Sequence, residues 1–348
     1  MKNNLHDILE AAVKVKASDV HLVVGQAPIV RVDGDLHTMK GFDVLEEADT
    51  QGFATDILVK PQRERFYQEK ELDTSYQIDD GTRFRVNFHW ASGNIGVAIR
   101  VLSSTIPTMD SLGMPTVTYD FLKEEAGLVL ITGPTGSGKT TTMASMIDRV
   151  NQDSGKHIVT LEDPIEYIFK SKNSIVKQRE YGVDFLSFPE GLKRVLRQDP
   201  DVIMVGEMRD LETIALAITL AETGHLVFAT LHTYSGVQTI DRIVDSFPPY
   251  QQNQIRLQVS MTLKAVMSQR LLPKIGGGRV AAREILINTN AASNLIRENK
   301  IAQLQTVVET GGKYGMITMD RSLRELIELG VVEEEDALVY ASNSHALK

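Results

Sequence analysis

Residues 128–142 read LVLITGPTGSGKTTT, and this stretch decides the fold class of the chain. Gly133–Thr140 fits the pattern G-x-x-x-x-G-K-[ST] at every constrained position. The apolar run Leu128–Thr132 before it is typical of a buried strand, and Thr141–Val150 after it is typical of a helix. Glycine-rich loops between a strand and a helix bind phosphate groups. The stretch therefore predicts the phosphate-binding loop of a nucleotide-binding domain.

Each constrained residue of this loop has a physical reason. Glycines let the backbone curl so that its N–H groups point at phosphate oxygens, and the positive N-terminal end of the helix adds to the attraction. We expect Lys139 to reach the β- and γ-phosphates of ATP and the Thr140 hydroxyl to bind Mg²⁺. The residues predicted to contact the nucleotide are Gly133, Pro134, Thr135, Gly136, Ser137, Gly138, Lys139, Thr140 and Thr141.

The chain on the C-terminal side of the loop alternates short apolar strands with helices. Continuous apolar runs at His157–Leu161, Val202–Val205 and Leu226–Ala229 indicate parallel strands buried on both faces. This is the α/β pattern, with a mainly parallel sheet. Beyond about residue 250 the pattern becomes mostly helical. The apolar positions of one long predicted helix, ending before Pro273, are Ile255, Val259, Leu263, Val266 and Met267.

Carboxylates follow two of these strands. Glu207 comes after the second strand, where ATPases with such a loop place an acid to hold Mg²⁺ and orient water, and we assign it the general-base role. Glu162, Asp163 and Glu166 come after the first strand, at the carboxyl end where open α/β sheets bind ligands. We expect them to help hold the Mg²⁺ shell, with Glu166 as a ligand, and the attacking water.

Histidines and arginines supply further candidates. His225 and His232 flank the third strand, and His232 is placed to contact the γ-phosphate, although a lone histidine is more often only a hydrogen-bonding residue. Phosphoryl transfer also gains from an arginine near the γ-phosphate, often donated by a neighbouring subunit. Arg85 and Arg100 lie on predicted strands near the N-terminus, and Arg209 lies two residues past the predicted base. The pattern alone leaves open whether these arginines only face solvent or form ion pairs.

The N-terminal part of the chain has a different pattern. Residues 1–102 predict a small α+β domain with a helix at its start and two more near Val44–Val59 and Gln62–Glu69. Its predicted strands are Val20–Val24, Ile29–Val32, Leu72–Ile78, Arg83–Trp90 and Ile95–Leu102. Residues 103–115 contain two prolines and a glycine, and we interpret them as an interdomain linker. Residues 116–348 are then the nucleotide-binding domain.

Composition restricts the function classes. The 348 residues include no cysteine, which excludes disulfides, a thiol nucleophile and a cysteine-bound zinc site. The net charge is −9, and the sequence shows no basic footprint of nucleic-acid binding. No apolar run approaches the roughly 20 residues of a membrane span, and the charged start is unlike a secretory signal peptide. We therefore expect a cytoplasmic protein with no transmembrane segment and no nucleic-acid partner.

The motifs together resemble those of the type II/type IV secretion ATPases. In that family they are called Walker A, Asp box, Walker B and His box, and Walker B ends in Gly-Glu, as Gly206-Glu207 does here. The stretches that carry the resemblance are GPTGSGKT at 133–140, TLEDPIE at 160–166, RQDPDVIMVGEMRD at 197–210 and ETGHLVFATLHT at 222–233. The resemblance covers almost the whole chain, from Ala17–Leu22 and Arg31–Asp35 to Gly315–Asp320.

The resemblance implies a RecA-like nucleoside triphosphatase core with a helical C-terminal part, preceded by a PAS-like α+β domain. It implies a homohexamer in which nucleotide binds between the two domains and arginines of the first domain approach the phosphates. The positions that match the family's functional residues are Glu166, Glu207, His225, His232, Arg85, Arg100 and, next to Walker B, Arg209. Within the family the chain is most similar to the motors that retract type IV pili in twitching motility, which implies contact with an inner-membrane platform protein at the pilus base.

Other functions share parts of this pattern. Pilus assembly and type II secretion ATPases of the same family are usually longer and commonly carry a tetracysteine zinc insertion, which a chain without cysteine cannot have. A ring helicase or recombinase would share the phosphate loop, but the acidic charge and the two boxes disfavour it. A non-hydrolysing nucleotide sensor is disfavoured by intact Lys139, Thr140 and Glu207.

Overall fold

The computed structural model describes residues 3–32, 34–102 and 105–342, which divide into two compact units. The first unit contains the described residues up to Thr105 together with two later segments, Asp163–Ile168 and Glu180–Asp184. The second contains the described remainder. The domain boundaries derived from the sequence stay a prediction, and they do not include the two later segments of the first unit. Asp33 lies outside the described residues. Residues 103–104, at the start of the predicted linker, lie outside them as well.

The first unit is built on an antiparallel sheet of six strands. Its elements are α1 (Leu5–Lys14), β1 (Asp19–Leu22), β2 (Ile29–Val32), β3 (Asp35–Thr38), α2 (Glu47–Ile57), α3 (Lys60–Glu69), β4 (Glu71–Gln77), β5 (Arg83–Ala91) and β6 (Asn94–Val101). The strand order is β3-β2-β1-β6-β5-β4. Alternate residues of β5 are buried, as in a sheet with one face on a core. The other face of the sheet is free to carry polar side chains.

The second unit contains the phosphate loop and a sheet of seven strands. Its first elements are α4 (Thr118–Phe121), β7 (Gly127–Thr132), α5 (Lys139–Asp153), β8 (His157–Glu162), β9 (Ile175–Glu180, the last residue of which belongs to the first unit), α6 (Phe188–Val195), β10 (Val202–Val205), α7 (Leu211–Glu222) and β11 (Leu226–Leu231). The later elements are α8 (Gly236–Asp245), α9 (Pro249–Thr262), β12 (Leu263–Pro273), β13 (Arg279–Ile287), α10 (Asn290–Arg297), α11 (Leu304–Thr310), α12 (Met319–Glu328) and α13 (Glu334–Leu338). No helix in the described part of the chain has the length and apolar character required to cross a membrane.

The order of the strands in this sheet is β13-β12-β7-β11-β10-β8-β9. Strands β12, β7, β11, β10 and β8 run parallel, so their carboxyl ends share one edge. All residues of β7, β10 and β11 are buried, as expected for strands covered on both faces. The α/β prediction is confirmed, and the sheet edge that follows Thr132 is where functional loops converge.

The prediction of one long helix that ends before Pro273 is wrong. The helix α9 ends at Thr262, and β12 continues the chain from Leu263 to Pro273. Residues 265–269 are buried in succession because β12 pairs with β7 on one side and β13 on the other. Apolar spacing at 263, 266 and 267 resembles helical periodicity, but a strand buried on both faces has no periodicity of its own.

The predicted linker has an anchored second half. The guanidinium of Arg283, on β13, donates hydrogen bonds to the carbonyl oxygens of Leu112 at 3.1 Å and Gly113 at 3.2 Å. Burial lowers the pKa of Arg283 to about 10. Residues 112 and 113 are thus attached to the second unit.

Candidate functional site

The phosphate loop occupies the carboxyl end of β7. Gly133 has φ +145°, and a Cβ there would lie 2.5 Å from the carbonyl oxygen of Gln269 and 2.6 Å from Ser137 Oγ, so only glycine fits. The left-handed Gly138 precedes the first residue of α5, Lys139. Lys139 Nζ donates hydrogen bonds to the carbonyl oxygens of Gly133 at 2.8 Å and Pro134 at 2.9 Å. The loop thus places its lysine over its own concave backbone, where phosphate binds in loops of this type.

A residue that the sequence reasoning missed supports this loop. Gln269, on β12, is fully buried, and its Nε2 donates to the Ser137 carbonyl at 2.6 Å. Its Oε1 accepts from the Thr142 hydroxyl at 3.1 Å. One amide therefore holds the chain on both sides of Lys139 and Thr140. The sequence signal for a supporting residue here is the polar pair Ser268-Gln269 inside an apolar run. The prediction of a helix over this run gives that pair no role.

Replacement of Gln269 by methionine is expected to weaken nucleotide binding about tenfold. It would leave the Ser137 carbonyl and the Thr142 hydroxyl without their buried partner, at a cost of roughly 1–3 kcal/mol. Titration with a fluorescent ADP analogue measures the effect. Gln258→Met, at a half-exposed position of α9, is the matched control and should bind normally. Equal affinities in the two variants would contradict the assignment.

The predicted base and its neighbours are brought together at the same sheet edge. β10 and β11 are adjacent and parallel, so Glu207 and His232 follow neighbouring strand ends. Glu207 Oε1 lies 2.9 Å from His232 Nε2, and Oε2 accepts from Arg209 Nε at 2.9 Å. The carboxylate is therefore oriented by one partner on each oxygen and remains partly exposed. Such a group can accept a proton from a water molecule while its partners fix its direction.

Glu162 ends β8, next to β10, and so lies at this edge as well. Its side chain is buried, and Oε1 accepts from the Thr160 hydroxyl at 2.6 Å and from Gln178 Nε2 at 3.0 Å. Two hydrogen bonds to one oxygen hold the carboxylate in place. The geometry suits a residue that positions the end of the strand.

Asp163 and Glu166 belong to the first unit, whereas Glu162 belongs to the second. The turn that carries Glu166 is fastened at Ile165, whose N–H donates to Glu180 Oε2 at 3.1 Å and whose carbonyl accepts from Arg83 at 3.1 Å. Glu180 also accepts from the Ser75 hydroxyl at 2.8 Å. Glu166 is thereby held against the sheet of the first unit, and its predicted metal role stays a prediction.

Arg85 and Arg100 are directly opposite one another on β5 and β6. Arg85 lies 3.8 Å from Asp73 and 3.9 Å from Glu166, and Arg100 lies 3.0 Å from Asp19. Opposed like charges disfavour strand pairing, and these acids offset the repulsion. Two guanidinium groups at one place on a sheet face suit an anion such as phosphate. Their contact with phosphate stays a prediction.

His225 is not brought to the site. It precedes β11, and six strand residues, about 20 Å, separate it from His232. Its Nδ1 lies 3.0 Å from the carbonyl oxygen of Leu220 and 3.3 Å from Thr223 Oγ1. These local contacts account for the position of the side chain, and its predicted catalytic role stays a prediction.

The predicted magnesium fits the donors present. Among residues 3–32, 34–102 and 105–342, no three His, Asp or Glu side chains form a metal-binding cluster. Mg²⁺ in nucleotide sites needs few protein ligands, because phosphate oxygens and water supply the rest. A hydroxyl in the first turn of α5, that of Thr140, and the carboxylate of Glu207 are donors of the required kind.

Comparison with known proteins assigns the family. The family described as "Type II/IV secretion system protein" matches residues 1–347. The chain belongs to this family. The resemblance deduced from the four motifs is thus confirmed, and the match extends over both units of the family member.

Two relatives of this family member are named for pilus functions. The type IV pilus retraction ATPase PilT of Pseudomonas aeruginosa is 47% identical over 334 residues, which is 96% of this chain and 97% of PilT. A twitching motility protein of Neisseria gonorrhoeae is 44% identical over 92% of this chain and 86% of its own length.

A solved structure of the pilus retraction motor PilT with bound ADP superposes on this family member with a TM-score of 0.91. It is 45% identical in sequence and covers 99% of this chain and 98% of its own. Similarity at this level shows that the two chains share their fold.

Proposed function

We propose that this chain hydrolyses ATP and that the hydrolysis powers retraction of a type IV pilus in twitching motility. The observation that carries the proposal is the Glu207–His232 pair, 2.9 Å apart, at the sheet edge that also bears the phosphate loop. The same chain is similar over nearly its whole length to PilT, which is named for this activity. A complete loop and an oriented carboxylate favour hydrolysis over simple nucleotide sensing.

Each residue at the edge has a part in the proposed reaction. Lys139 and the loop N–H groups bind the phosphates, and Glu207 takes the proton of the attacking water. His232 and Arg209 keep the Glu207 carboxylate oriented. Mg²⁺, bound by Thr140 and Glu207 with help from Glu166, would neutralise charge on the phosphates. Arg85 and Arg100 are proposed to add positive charge at the γ-phosphate.

The proposed assembly is a homohexamer in the cytoplasm. Domain movement driven by ATP binding and hydrolysis would act on an inner-membrane platform protein at the pilus base and withdraw pilin subunits. The resemblance to the pilus retraction motors supports this assembly, and the absence of any recognisable basic footprint agrees with a protein partner instead of a nucleic acid.

Deletion of the gene in its host tests the direction of pilus movement. We expect cells that carry excess pili and no longer twitch, because assembly would continue without retraction. Complementation with the parental gene should restore twitching, and complementation with Lys139→Ala should not. Loss of surface pili in the deletion strain would contradict retraction and indicate a pilus assembly ATPase instead.

A further inference from the structure

Glu284 is a buried carboxylate that the proposed mechanism does not use. It lies on β13, with only 6% of its surface exposed. One of its oxygens, Oε1, accepts a hydrogen bond from the N–H of Gly236 at 2.8 Å. Gly236 is the first residue of α8, so the carboxylate satisfies a backbone N–H at the start of that helix.

The N-terminus of α8 is tightly attached to β13. A Cβ on Gly236 would lie 3.0 Å from the side chain of Leu286, so the close approach that lets its N–H reach Glu284 suits glycine. The turn that precedes α8 is also attached to this helix. Thr233 Oγ1 in the turn lies within hydrogen-bond distance, 2.6 Å, of Thr239 Oγ1 in the helix. Displacement of the first turn of α8 would therefore shift this turn.

His232 is the residue at the other end of that turn. It lies one position before Thr233 and contacts Glu207 at 2.9 Å. Arg270 adds a further attachment, because its guanidinium stacks 4.7 Å from the centre of the Tyr234 ring. The carboxylate of Glu284 is thus connected to the imidazole that orients the predicted base. The residues along this path are Gly236, Thr239, Thr233 and His232.

We propose that Glu284 is a positioning residue that sets His232 against Glu207. The inference rests on the proposed ATPase function. Burial raises the pKa of Glu284, and the hydrogen bond from the Gly236 N–H opposes that rise because it stabilises the charged form. A methionine side chain at this position would leave that buried N–H without its acceptor.

Replacement of Glu284 by methionine is expected to lower kcat for ATP about 10- to 100-fold with KM within about twofold. The reason is that a small displacement of His232 disturbs the reacting geometry and leaves the phosphate loop intact. Thr318→Ala is the matched control, because it removes a cap of α12 without altering Glu284 or α8. Its kcat should remain within about twofold of the parental value.

A double-mutant cycle with His232→Gln separates positioning from general destabilisation. If Glu284 acts through His232, Glu284→Met should lower kcat no further in the His232→Gln background. Gly236→Ala is a second route, since the added methyl pushes α8 away from Leu286 and should reproduce the loss of kcat at constant KM. An equal fall in both backgrounds, or unchanged kcat in both single variants, would overturn the inference. A parental protein that does not hydrolyse ATP would instead refute the proposed function.

Discussion

Lys139→Ala is expected to lower kcat/KM for ATP by at least about 100-fold, the order of effect seen when one charged or polar donor to a reacting group is removed. The ammonium lies over the loop, 2.8 Å from the Gly133 carbonyl and 2.9 Å from that of Pro134. When a triphosphate binds, its β- and γ-oxygens would replace these carbonyls as acceptors, and the charge-assisted bonds are stronger. Without the lysine the backbone N–H groups must hold the phosphates alone.

Phosphate release and binding of a fluorescent nucleotide together measure this effect. Lys156→Ala is the matched control, because Lys156 precedes β8 and so lies at the opposite edge of the same sheet from the loop. That variant should retain parental activity. Undiminished hydrolysis by Lys139→Ala would remove the loop from the proposed mechanism and leave the ATPase assignment without its binding site.

The phosphate loop and the buried strands of the second unit could be predicted because their signals are local. Four strands and the loop follow from continuous apolar runs and from one motif within residues 127–231. The strand β12 could not be predicted in this way. Its burial results from pairing with β7, more than 130 residues earlier, and its apolar spacing is compatible with a helix. The local pattern of apolar residues does not indicate which distant strand pairs with β12.

The same limit applies to the site. Glu207 and His232 were each identified from motifs, but their 2.9 Å contact depends on β10 and β11 being neighbours, which is a property of the sheet order. The sequence pattern places Glu162 and Glu166, four residues apart, in one group, yet the chain passes from one unit to the other between them. Gln269 and Glu284 were missed because buried polar residues on strands carry no motif.

Glu207→Gln is expected to preserve ATP binding while reducing kcat about 100- to 10,000-fold, the range attributed to loss of a general base. Glutamine retains the shape of the side chain, and its oxygen can still accept from His232 or Arg209. The amide cannot take up the proton of the attacking water. Single-turnover measurement of phosphate release, with nucleotide affinity measured in parallel, separates the chemical step from binding.

Glu212→Gln provides the comparison for this variant. Glu212 lies in the first turn of α7, five residues from Glu207, and pairs with Lys193 on the surface at 2.8 Å. An exposed ion pair contributes little, so this change should leave kcat near the parental value. If Glu207→Gln behaved like Glu212→Gln, another group would have to activate the water. Glu162 is a second carboxylate at a neighbouring strand end, and its tightly held oxygen would then be the next to examine.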